Sequence, residues 1–112
     1  MSLNEEAEAQ LEELQMFEQQ FQGILAEKQS LQIELNEVEN ATTELAKSKD
    51  DVYRIIGGIM LKSDKEQLLK ELGERKKILS MRIGSVEKQE SMIMSKIENS
   101  RSSVRGSIIS SK

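Results

Sequence analysis

The 112-residue chain reads as mainly α, a long antiparallel two-helix coiled coil joined by one short β-hairpin. Three observations predict this. Apolar residues recur at alternating spacings of three and four along both halves. Two β-rich runs flank a central Gly57-Gly58. The helical stretches on either side are nearly equal in length, as an antiparallel pair requires.

The first helix is expected over about 4–49. Its seam runs Leu3, Ala7, Gln10, Leu14, Phe17, Phe21, Ile24, Lys28, Leu31, Leu35, Val38, Thr42 and Leu45, and ten of these 13 positions are apolar. A heptad sustained this long indicates coiled coil rather than a globular helix. With no Pro anywhere in the chain, the helix runs unbroken.

The hairpin is expected over about 52–62, in Val52-Tyr53-Arg54-Ile55-Ile56-Gly57-Gly58-Ile59-Met60-Leu61-Lys62. Tight primed turns need positive φ, which glycine supplies without strain. The alternative is a flexible glycine break in one long helix, but Val, Tyr and Ile crowding both sides favour strands.

The second helix is expected over about 65–108, capped by Ser63 or Asp64 with Glu66 or Gln67 as box partner. Its seam runs Leu69, Leu72, Lys76, Leu79, Ile83, Val86, Glu90, Ile93, Ile97, Ser100, Val104 and Ser107, with eight of 12 apolar. Each arm has about 45 residues, or ~65–70 Å at 1.5 Å per residue. Pairing residues whose numbers sum to 114 puts the reversal on the glycines and an a position opposite a d position in every layer. Phe17 then meets Ile97, Phe21 meets Ile93, and Leu14 meets Ser100. Lys28 and Glu90 fall in neighbouring layers, where they either pair and fix the register or extend separately to solvent.

Composition excludes several functions. There is no Cys, His or Trp, with one Tyr and two Phe. So few aromatics do not fill a globular core. Without Cys and His there are no disulfides, no thiolate chemistry, no usual zinc ligand set and no imidazole base. No catalytic residue, metal site or cofactor is expected, and the chain is read as no enzyme. Gly57-Gly58 lacks the following Lys-Ser/Thr of a phosphate loop. The acidic pairs Glu5-Glu6 and Glu12-Glu13 read as solvated helix faces. The N-terminus is polar, without the apolar core of a signal peptide, and no apolar run approaches the ~20 residues that span a bilayer. A soluble cytoplasmic protein without membrane contact is expected.

The formal net charge of −4 conceals a division. Residues 1–61 carry four basic and 13 acidic side chains, whereas residues 62–112 carry 12 basic and seven acidic. Acidic and basic helices in one chain favour pairing with each other over like-with-like association. The acidic neighbour also argues against a nucleic-acid site on Arg75-Lys76-Lys77, which has no interleaved aromatics.

Two regions exceed what a plain coiled coil needs. The hairpin is apolar on both faces through Val52, Tyr53, Ile55, Ile56, Ile59, Met60 and Leu61. A lone two-stranded hairpin is marginal in water, and its edges present unpaired backbone groups. Hairpins of several chains assembling into an oligomeric β-barrel would resolve both defects. Folding down over its own helices is the alternative. The second region is the tip, where residues 1–17 meet 97–112. Its layers are half polar or small, and nine of the chain's 14 serines lie at or after Ser85. It still carries Leu3, Leu11, Leu14, Met16 and Phe17 on one helix, with Val104, Ile108 and Ile109 on the other and Met92 and Met94 just below. This is either a soft hydrophobic clamp for another chain's apolar segments or ordinary terminal disorder.

These residues resemble the prefoldin family, specifically its beta class. Val52-Tyr53-Arg54, the glycine turn and Ile59-Met60-Leu61-Lys62 look like the beta-class pattern of Val-Tyr-Lys/Arg, a glycine turn and an apolar strand ending in Lys. Asp64-Lys65-Glu66, Leu69, Glu71-Leu72 and Glu87-Lys88-Gln89-Glu90 resemble the second helix. A single hairpin fits the beta class, because alpha-class subunits carry two. Met60 and the second glycine depart mildly from the pattern, and the Ser-rich end from Ser100 is less typical. The resemblance implies one prefoldin-like domain over 1–112, in a hexamer of two alpha and four beta subunits. It further implies a double β-barrel of hairpins, coiled coils whose tips hold unfolded client proteins without ATP, and delivery to a group II chaperonin. Lack of Cys with a Lys/Glu-rich composition leans towards an archaeal source. The competing reading is a structural coiled-coil adaptor for one folded partner.

Overall fold

Leu3–Lys47 forms one uninterrupted helix, α1, in the computed structural model, which describes residues 3–110 and the side chains of residues 4–107. Strands β1 (Val52–Ile56) and β2 (Ile59–Ser63) follow, then helix α2 (Lys65–Ser110). The described residues fall into two units, one through Gln29 and from Ser85 onward, the other Ser30–Gly84.

In the 30–84 unit, α1 stops at Lys47, two residues short of the expected 49. The carbonyls left open at its end find a partner across the hairpin. The Lys65 ammonium donates to Ala46 O at 3.2 Å and to Ser48 O at 2.6 Å, a cation placed where the helix dipole favours one. At the other end of the hairpin Asp64 is the N-cap of α2. Its Oδ1 accepts from the Glu66 N–H at 3.0 Å.

The strands pair antiparallel with Ile56 opposite Ile59, leaving Gly57-Gly58 as a two-residue loop. Both glycines have positive φ, +56° and +81°, the signature of a type I′ turn whose twist matches the strands. A side chain at either position would be strained. The core of this unit lies on the expected seam. Leu31, Leu79 and Ile83 are buried, Leu79 completely, while Leu35, Val38, Leu45, Leu69 and Leu72 are half-buried. Lys76 is the one seam residue here that stays exposed, and it reaches Glu39 at 4.0 Å. The polar Thr42 is accommodated because its hydroxyl donates to Val38 O at 2.8 Å within its own helix. Arg75 pairs with Glu34.

In the other unit, Leu14, Ile93 and Ile97 form a buried cluster with Phe17, Phe21, Ile24 and Val104 packed against it. Val86 and Ser100 are buried as well. Lys28 Nζ and Glu90 Oε1 meet at 3.2 Å, the seam ion pair that the heptad arithmetic left open. Farther along, Arg101 pairs with Glu18 at 3.4 Å, and the Ser107 hydroxyl donates to Gln10 Oε1 at 2.6 Å. As partner numbers fall along α1 from 28 to 10, they rise along α2 from 90 to 107, so the helices of this unit are antiparallel.

Disulfide crosslinking tests the register. In the double variant Phe17→Cys with Ile97→Cys, oxidation should join the helices rapidly and nearly completely. Cysteines one heptad away, at 17 and 90, should react slowly. The reverse preference would refute the pairing, since a bridge needs Cα atoms within roughly 7 Å.

Candidate protein-binding surfaces

The hairpin presents two different faces. Residues directly opposite share a face, so Val52, Arg54, Ile56, Ile59, Leu61 and Ser63 lie on one, and Tyr53, Ile55, Met60 and Lys62 on the other. The base of the first face leans on the helices. Val52 and Arg54 are half-buried, and with Ala41, Leu45, Leu68 and Leu72 they line a groove of about 440 Å³. Arg54 forms an ion pair with Glu71 of α2.

The second face is bare. Tyr53, Ile55 and Met60 are exposed, Ile55 at 70% and Met60 at 65%. Ile56, Ile59 and Leu61, near the turn on the first face, are exposed too. Six of the seven hairpin residues singled out from sequence therefore present apolar surface, and Val52 is the one held against the helices. The hairpin is not folded down over its own helices. Among the described residues the sheet has two strands, so each keeps a free edge. Exposed apolar side chains beside unpaired backbone groups favour pairing with further strands.

The tip residues divide by register. Leu11 and Met16 point away from the seam and are exposed at 44% and 50%. Leu14 is buried in the cluster with Ile93 and Ile97, and Phe17 and Val104 pack on it half-buried. With the helices paired, Leu14 offers no surface to another chain; it is an a position facing the opposite helix. The Lys96 ammonium lies 5.8 Å from the centre of the Phe17 ring and covers part of what remains. Leu3, Ile108 and Ile109 lie on α1 and α2, but their side chains are outside the described residues. Beyond Leu14 the interhelix contacts are mixed: Val104 packs on the cluster, Ser100 is buried, and Gln10 is hydrogen-bonded to Ser107.

Met92 and Met94, expected just below the tip, are exposed at 63% and 54%. Met92 precedes and Met94 follows the seam residue Ile93, which turns both away from the opposite helix. Exposed apolar residues outside the sequence-derived set are Ile33, Ile78 and Met81 in the 30–84 unit. Ile78 directly precedes the seam residue Leu79, whereas Ile33 and Met81 are single apolar residues between polar neighbours and carry no such signal.

Among the described residues no group of acidic side chains is placed to hold a metal ion, and no helix is long and apolar enough to cross a membrane. The chemistry on offer is apolar contact and strand pairing. Two long helices and a two-stranded hairpin with exposed apolar side chains define the class, a helical coiled-coil protein with one β-hairpin.

The comparisons with known proteins agree. Residues 8–108 match the family described as prefoldin subunit, and the chain belongs to the prefoldin family. The prefoldin beta subunit of Methanothrix thermoacetophila is 41% identical over 101 residues, spanning 88% of this chain and 84% of that protein. The beta subunit of Pyrococcus furiosus is 35% identical over 95 residues, covering 83% and 81%. The crystal structure of the prefoldin beta subunit from Thermococcus strain KS-1 superposes with a TM-score of 0.83 at 29% identity, covering 90% of each chain. The beta2 subunit of that strain shares the fold, with a TM-score of 0.69 at 20% identity over 78% of this chain and 95% of that one. The beta-class resemblance and the helix–hairpin–helix fold are thereby established. Prefoldin subunits are chaperone proteins without enzymatic activity that assemble with other prefoldin subunits.

Proposed function

We propose that this chain is the beta-type subunit of an ATP-independent holdase, acting in the cytoplasm as a single prefoldin-like domain over residues 1–112. Its hairpin joins those of an alpha-class subunit and other beta subunits, two alpha and four beta, in a shared β-barrel. Its tips capture unfolded client proteins and release them to a group II chaperonin. The supporting observation for assembly is the bare hairpin face of Tyr53, Ile55 and Met60.

The tip site comprises Leu3, Leu11, Leu14, Met16, Phe17, Val104, Ile108 and Ile109. Leu11 and Met16 are available with the helices paired; Leu14, Phe17 and Val104 become available when the outer layers open. Burying a Leu or Val fully contributes roughly 1.5–3 kcal/mol; the layers around Gln10 and Ser107 recover little of that and open at little cost, whereas exposing Leu14 and Phe17 also breaks their packing on Ile93 and Ile97.

Removing residues 1–12 and 100–112 tests the assignment. The truncated subunit should still assemble, while suppression of aggregation of a denatured protein should fall severalfold, because Leu3, Leu11, Val104, Ile108 and Ile109 are lost. Equal protection by the truncated oligomer would contradict the tip site. Binding to one native protein, with no preference for unfolded chains, would instead support a structural adaptor.

A further inference from the structure

The holdase reading leaves open which unfolded segments are held, and a groove beside the seam bears on that question. Phe21, Met94 and Ile97 floor a groove of about 320 Å³ in the unit through Gln29 and from Ser85 onward. Ile97 belongs to the buried cluster and Phe21 packs against it, whereas Met94 is 54% exposed. This apolar floor exists with the helices paired, unlike the surface of Leu14. Met94 is unbranched and polarisable, suited to side chains of varied shape.

The rim is charged, and its charges do not cancel. Glu18, Glu98 and Arg101 border the groove. Arg101 is engaged by Glu18 at 3.4 Å, whereas Glu98 makes no ion pair among the described residues. The surroundings share this sign, since residues 3–29 and 85–110 carry ten carboxylates against five basic side chains.

We infer that this groove binds extended, unfolded segments in which an apolar side chain is bordered by Lys or Arg. The apolar side chain lies over Met94 and Phe21, and the neighbouring cation meets Glu98. The inference rests on the holdase reading and adds a substrate class to it. Segments bordered by Asp or Glu are disfavoured by like-charge repulsion, which selects among apolar stretches that would otherwise bind alike.

The test uses the full-length chain in its assembled oligomer and two labelled peptides with the same Leu-Phe-Leu core. One peptide is flanked by lysines and the other by glutamates, and binding is followed by fluorescence anisotropy. At low ionic strength the lysine peptide should bind at least about fivefold more tightly, given several contacts each of the size of an exposed ion pair. The ratio should fall towards one at about 0.5 M salt, where screening is short-ranged. Glu98→Lys, at an exposed position, should reduce the ratio about threefold, and Met94→Ser should weaken both peptides. Equal binding of the two peptides at low salt, or a ratio unchanged by Glu98→Lys, overturns the proposal and leaves the holdase reading standing. If neither peptide binds while aggregation is still suppressed, the groove is again overturned. Failure to suppress aggregation overturns the holdase reading itself.

Discussion

Replacing Ile55 and Met60 together by aspartate should release free, helical monomers from the assembled protein. The two residues face each other across the hairpin and are 70% and 65% exposed in the single chain. Burying two such side chains in a shared sheet contributes roughly 1.5–3 kcal/mol each. Two carboxylates in their place would be desolvated and would repel one another. The combined loss of at least about 4 kcal/mol weakens association on the order of a thousandfold. Neither residue packs in the helical seam, so the far-ultraviolet circular dichroism of the helices should be unchanged. Light scattering on the purified variant at micromolar concentration reads the outcome. An oligomer of undiminished mass would show that the bare face is not the assembly surface.

Leu79→Ala should give the largest loss of stability of any single truncation in the seam. Among the described residues Leu79 is the side chain with no exposed surface, on the stretch of α2 that also buries Ile83. Truncating a fully buried Leu costs about 2–5 kcal/mol, the upper part of the range applying where neighbours do not collapse into the space. Helices held by their seam relax poorly there, because each layer is fixed by those on either side. Thermal unfolding should shift down by several degrees or more, whereas Leu11→Ala, at an exposed position, should stay within about 0.5 kcal/mol of the parent. Similar losses for the two variants would mean that the heptad assignment is wrong.

The seam was legible because period alone identifies it. From Ala7 to Leu45 every seam position is buried or half-buried, and on α2 only Lys76 departs. Lysine's long stem lets its ammonium leave the interface, towards Glu39 here. The hairpin was legible for a different reason: two consecutive positive φ values are easy for glycine and costly for other residues. The end of α1 was set instead by Lys65, a residue 18 positions farther along that caps its carbonyls. No pattern local to Ser48 and Lys49 encodes that contact.

The binding surfaces were read less completely. A hydrophobic residue near a terminus can serve a seam or a partner, and composition does not separate the two uses. Register does: Leu14 and Phe17 stand on the seam and pack there, while Leu11 and Met16 stand off it and are exposed. Met94, beside the seam residue Ile93, likewise stands off the seam and is apolar surface available without any opening of the helices. The groove under Met94 depends on where Glu18 and Arg101 meet, a contact 83 residues apart in sequence, and so becomes visible only once the helices are paired.

The central claim is that an unpartnered hairpin makes this chain one subunit of a larger assembly. The mass in solution, measured with and without a coexpressed alpha-class subunit, tests it most directly. Coexpression should yield a complex of two alpha and four copies of this chain. A stable monomer at micromolar concentration in both preparations would contradict it.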